Sequence, residues 1–272
     1  MYIEVNKHNN ILDHINNIAF GNLDFMRTPF PQEPIWAETL KLFYFIKHSD
    51  ELLDENFIQS KLNFNSSETR KRYSRAILTR FQRLDKKVLD GFICLIQLKI
   101  NAELLEQIWR ILFCATEPLI AKVYLEVIWP REPGSSIQRD HIKSYIQTTF
   151  TQQSDKLNQR ILNCLQHAGY VIPHGKKDLI VVGFGNLEDA LILSTHLLLA
   201  QNPRTIKLTE IEASNYWRFL GYRKFDHVRI GFRRAEAKGL IMRYAMVDHL
   251  EQITTRYTWN ELLDKVVAQH ES

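Results

Sequence analysis

The chain has 272 residues, 45% hydrophobic and 24% charged, which excludes an intrinsically disordered polymer and leaves apolar mass for two or three small cores. Its formal charge is a mild +4, and three cysteines, Cys94, Cys114 and Cys164, lie far apart in apolar stretches, which excludes a disulfide framework. The most apolar stretch, Ile108 to Trp129, is interrupted by Arg110, Glu117 and Lys122, so it reads as a buried helix pair and not as a membrane span.

Residues 1–36 are polar and Asn-rich and end in prolines 29, 31 and 34, which force extended backbone. They read as an arm without a signal-peptide core, and the expected location is the cytoplasm. A helix is predicted from Ala37 to Ile46 and a second over residues 51–62. The next, SETRKRYSRAILTRFQRL over residues 67–84, can be capped by Ser67, with Glu68 at the positive end of its dipole. Tyr73, Ile77, Phe81 and Leu84 share one side of it, and the remaining arc is cationic. Arg70, Lys71, Arg72, Arg75, Arg80 and Arg83 fall between Thr69 and Leu84 with no acid among them. Surface helices normally intersperse signs, so this row asks for an anionic partner or for carboxylates from elsewhere in the fold.

Further helices are expected through about residue 130, with Pro118 tolerated at a helix start. WPREPGSS, with Pro130, Pro133 and Gly134, is the clearest linker. Beyond it, two helices (137–150 and 155–169, closed by Gly169) precede a hairpin made of YVIP, the tip HGKK and LIVVGF. Two helices and a hairpin outline a winged helix-turn-helix with Lys176 and Lys177 at the wing tip. A second outline follows. LTEIEASNYWRFLGY is predicted to be one helix with Thr209 and Glu212 at capping-box spacing. KFDHVRIGFRRAEAKG is the next, with Phe225, Val228, Phe232 and Ala235 inward and Arg229, Arg233, Arg234 and Lys238 outward. LIMRYAMV opens a wing, and TWNELLDKVVAQH closes the chain as an amphipathic helix.

The expected fold class is mainly α: a helical bundle domain followed by winged helix-turn-helix-like modules with small β-hairpins. The expected boundaries are 1–36 for the arm, 37–130 for the bundle, 131–186 for the first module and 187–272 for the second. Residues 69–84 and 217–243 each carry a net +6, which leaves −8 on the rest. Two basic islands on an acidic body point to a polyanion.

Catalytic signatures are missing from the sequence. Gly183 and Gly185 are not followed by the Lys and Ser/Thr of a phosphate-binding loop, and GxSxG, HExxH and paired CxxC do not occur. Cys164 and His167 are one turn apart without a second pair, so they read as core and rim and not as metal ligands. No catalytic, cofactor or metal residue is therefore nominated, and neither a small-molecule substrate nor a membrane is expected as partner. The aromatics Tyr216, Trp217, Phe219, Tyr222 and Phe225 could stack on single-stranded bases, but inward spacing favours core packing. The nominated nucleic-acid contacts are Arg70, Lys71, Arg72, Arg75, Arg80, Arg83, Lys176, Lys177, Arg229, Arg233, Arg234 and Lys238.

The stretch SETRKRYSRAILTRFQRL, then WRILFCATEPLIAKVYLEVI, then DKLNQRILNCLQHAGYVI resembles the BrxA family of the BREX bacteriophage-exclusion systems. The likeness runs over roughly residues 40–182 and rests on Ser67, Thr69, Lys71, Arg72, Arg75, Ile77 and Arg80, and on Leu165, Ala168 and Gly169. The resemblance implies a cytoplasmic, non-enzymatic accessory protein that binds duplex DNA and works with other proteins of the same defence operon. The N-terminal arm and the C-terminal module depart from the family pattern. A protein-interaction adaptor and a winged-helix transcription regulator are the rival expectations.

Overall fold

The computed structural model describes residues 36–43, 45–46, 54–98, 100–150, 154–185 and 188–271. The expected arm lies outside them, apart from Trp36, which opens the first helix. The N-terminal half is helical: α1 (Trp36–Phe43), α2 (Glu55–Lys61), α3 (Ser67–Phe81), α4 (Lys86–Gln97), α5 (Ala102–Thr116) and α6 (Pro118–Val123). Short polar side chains close the free N–H groups at the helix starts. Asp54, Asp85 and Asn101 accept from the backbone at α2, α4 and α5. The cap of α3 is Ser66, one residue before the expected Ser67, and its Oγ accepts from the Thr69 N–H at 3.4 Å. Pro118 opens α6 at the first helical turn. The chain then widens into a π turn over Tyr124–Ile128, where the Trp129 N–H reaches back five residues to the Tyr124 carbonyl.

Two small antiparallel sheets follow. In the first unit β1 (Ser136–Gln138), α7 (Arg139–Thr149), α8 (Asp155–His167), β2 (Val171–His174) and β3 (Asp178–Val181) form a sheet of order β1-β3-β2. Ser136 lies opposite Ile180, and Val171 opposite Val181. In the second unit β4 (Thr205–Lys207), α10 (Leu208–Ala213), α11 (Tyr216–Phe219), α12 (Phe225–Ala237), β5 (Ile241–Val247) and β6 (Leu250–Thr255) form a sheet of order β4-β6-β5. The helix entering each hairpin ends in the same way. Gly169 and Gly239 sit at φ of 75° and 74°. The next N–H, of Tyr170 or Leu240, reaches back to the carbonyl of Leu165 or Ala235, which satisfies carbonyls that the helix leaves free.

Three sequence expectations need correction. The helix predicted over LTEIEASNYWRFLGY is two, because Asn215 takes the left-handed conformation at φ 57° between α10 and α11. Each sheet also has a short opening strand, β1 or β4, that three residues of sequence do not announce. The third is α9 (Glu188–Leu199), an addition to the predicted elements. From Ala190 to Leu199 every residue of α9 is buried, and it packs against α4, α5, α12 and α13 (Trp259–Glu271). A helix buried on all sides has no solvent face to give it a 3.6-residue period. The buried apolar side chains form one cluster running from α1 to α13.

Candidate nucleic-acid interface

On α3, Ile77 and Phe81 enter the core, and the basic residues meet different fates. Arg80, nominated as an outward cation, is buried at 1% exposure. Its Nη2 lies 3.1 Å from Oε1 of Glu117, itself buried, and its guanidinium carbon is 5.2 Å from the Phe113 ring centroid. The helical wheel explains the error, since at 100° per residue Arg80 falls about 20° from Tyr73, on the apolar side. Arg83 is half-buried and donates to the Thr116 carbonyl. Burial pulls its pKa down, against the opposing pull of Glu117. Arg70 donates to the Phe64 carbonyl. Arg75 keeps an outward side chain but lies 3.1 Å from Glu55.

Lys71 and Arg72 are exposed and meet no carboxylate among the described residues. The Arg72 guanidinium stacks over Tyr73 at 4.8 Å. With Arg75, Glu68, Thr69, Ala76 and Thr79 they line an open groove of about 770 Å³. At low ionic strength such a surface favours an anion, and salt weakens the preference.

In the second unit the nominated cations are answered from within the molecule. Arg229 bonds Glu251 at 2.7 Å and Asp226 at 2.7 Å. Arg234 and Lys238 share Glu188 at 3.1 and 2.7 Å. Burial acts to raise the Glu188 carboxyl, but hydrogen bonds from Lys238 and Arg234 hold it below the ordinary carboxylate range. Hydrogen bonds from Tyr244 and then Arg229, against burial, do the same for Glu251. Arg233 stacks over Tyr244 at 5.0 Å. The premise of an unanswered cationic row is thus corrected for Arg75, Arg80, Arg229, Arg234 and Lys238. Tyr216, Trp217, Phe219, Tyr222 and Phe225 are all buried, in line with core packing and not with base stacking.

The first unit differs. Lys176 and Lys177 are exposed at the turn between β2 and β3, as the sequence placed them. Beside them α8 presents a stripe that sequence reading missed. Leu157, Ile161, Leu162, Cys164 and Leu165 face the core. Lys156, Gln159 and His167 are exposed, and Arg160 and Asn163 half-exposed, on the opposite side. The Gln159 amide donates to Asn163 Oδ1 at 2.8 Å. The signal was available as polar donors and acceptors recurring every three or four residues through DKLNQRILNCLQH. Asp155, the one acid in α8, bonds Lys143 at 2.9 Å.

Arg110 of α5 braces the far end of α8. Its Nε donates to the Ala168 carbonyl at 2.8 Å, and its guanidinium stacks on Phe184 at 4.0 Å. No family model, curated protein or solved structure matches this chain.

Proposed function

We propose that this chain is a non-enzymatic duplex-DNA-binding protein whose two units, β-α-α-β-β and β-α-α-α-β-β, are winged helix-turn-helix modules, and that only the first of them contacts DNA. On this reading α8 enters the major groove, Lys176 and Lys177 contact backbone phosphate as the wing, and Lys71 and Arg72 add a phosphate grip from the bundle. The resemblance of residues 40–182 to the BrxA pattern supports a place in a BREX-like defence system beside other proteins of that operon.

One observation carries the reading: the contrast between the two helices that enter the hairpins. The outward side of α8 offers Lys156, Gln159, Arg160 and Asn163, residue types whose donors and acceptors match base edges. At the middle of the corresponding side of α12 stands the exposed Ile230; beside it Arg229 and Arg234 are bonded to Asp226, Glu251 and Glu188, and Arg233 stacks over Tyr244. An apolar centre flanked by two neutralised arginines and one stacked on tyrosine suits protein contact, which favours the adaptor reading for the second unit alone.

The test is fluorescence anisotropy of a labelled duplex across a salt series. Phosphate contacts by Lys71, Arg72, Lys176 and Lys177 would give a slope of log affinity against log salt of about −3.6. Replacing Lys176 and Lys177 together by Glu should flatten that slope by about 1.8. An unchanged slope, or no binding at low salt, would overturn the proposal.

A further inference from the structure

On the outward stripe of α8 two side-chain amides are joined: Gln159 Nε2 donates to Asn163 Oδ1 at 2.8 Å. Gln159 is exposed and Asn163 half-exposed. Gln159 is the fifth residue of α8, within the N-terminal part of a recognition helix that reaches base edges. From Lys156 to Asn163 the sequence has no acid, and Asp155, just ahead, bonds Lys143 at 2.9 Å.

The second unit lacks this pair. Counted back from the glycines that end the two helices, the places of Gln159 and Asn163 are held in α12 by Arg229 and Arg233. Arg229 is bonded to Asp226 and Glu251, and Arg233 stacks over Tyr244. The joined amides therefore belong to the unit whose stripe is open.

A primary amide has two N–H donors and one acceptor oxygen. Asn163 takes one N–H of Gln159, which leaves the other N–H and Oε1 in one plane, a donor and an acceptor on the same group. Of the four bases, only adenine sets an acceptor, N7, beside a donor, N6, on its major-groove edge. Guanine sets two acceptors there, so Oε1 would face an oxygen, while cytosine and thymine each engage half of the amide. The bond to Asn163 also orders a long side chain before DNA arrives, so less rotamer freedom is lost on contact.

We infer that Gln159 sets the sequence preference of the first unit by reading one adenine through Oε1 and its free N–H, and that Asn163 is the residue that positions it. The inference rests on the DNA-binding reading, in which α8 lies in the major groove, and adds base identity to a grip otherwise made on phosphate.

The experiment selects duplexes from a randomised pool with the full chain at low salt, then measures anisotropy on the selected duplex and on copies with single A·T pairs changed to G·C. At one position the change should weaken wild-type binding about tenfold or more, which is about 1.4 kcal/mol. Gln159→Ala, a surface change to a good helix former, should bind both duplexes equally well there, with the wild-type salt slope, because no charge is removed. Asn163→Ala should show a smaller ratio. Asn163→Asp keeps an oxygen within reach of the Gln159 N–H and should restore the ratio while binding both duplexes more weakly. A pair that only stiffens the helix would lower the melting temperature of the alanine variants and leave the ratio unmoved, which would overturn the inference. A wild type with the expected salt slope but no selected A·T position, or a ratio that survives Gln159→Ala, would overturn it too and leave the DNA-binding reading standing. Absence of any binding at low salt would overturn both.

Discussion

Arg80 and Glu117 show how much one pair of side chains can decide. Both are buried and within 3.1 Å of each other, beside the Phe113 ring. Removing one partner strands a charge in a low-dielectric interior, whereas removing both does not. Glu117→Leu should therefore cost about 3–5 kcal/mol in urea unfolding, and the Arg80→Met, Glu117→Leu double variant much less. His196 of α9 is the second deciding residue. It is fully buried, and burial pushes its pKa down to about 4 despite an opposing backbone hydrogen bond at Ala200. The folded state resists a proton that the unfolded chain binds near pH 6.5, so this group destabilises the fold as pH falls from 6.5 toward 4. The loss approaches about 3 kcal/mol near pH 4. Urea midpoints measured at pH 7 and pH 5 should diverge in the wild type and converge in His196→Leu.

At the level of the element, the two helix-ending glycines make a matched pair. Their backbone angles are alike, but a β-carbon on Gly169 would lie 3.1 Å from the Arg110 guanidinium, whereas on Gly239 it meets only an ordinary contact at 3.9 Å. Gly239→Ala should cost about 1 kcal/mol from backbone strain alone, and Gly169→Ala measurably more, read as a larger fall in melting temperature. Gly169 was legible in the sequence as a helix terminator, and so were Pro118 as a helix start, the hairpin tip at residues 175–177 and the inward face of α12. Such signals are local: a φ angle, a missing N–H or a 3.6-residue period suffices. What escaped depended on distance along the chain. The break at Asn215 is not announced by its neighbours, α9 is buried on every side and so has no solvent face to give it a period, and carboxylates that answer Arg229, Arg234 and Lys238 come from as far away as residues 251 and 188. Charge clustering in sequence was therefore a poor guide to charge in space, while the spacing of Lys156, Gln159 and Asn163 on α8 was a good one that went unread.

Across the whole molecule, one apolar cluster runs through the bundle and both units, and a polar seam crosses it. The Tyr124 hydroxyl donates to the Arg218 carbonyl at 2.9 Å, the Trp129 indole to the Tyr222 carbonyl at 2.9 Å, and Arg223 returns a bond to the Trp129 carbonyl. The Arg218 guanidinium stacks over Trp129 at 4.5 Å. These bonds tie the π turn that precedes the first unit to the middle of the second. Half-buried hydrogen bonds of this kind are each worth about 1 kcal/mol net and are directional, so they hold an angle as well as a distance. The consequence is geometric: the two halves behave as the jaws of a fixed caliper and not as beads on a string. Whatever aligns the first half along a polymer also sets the compass bearing of the second, and lengthening residues 130–135 would not set it free.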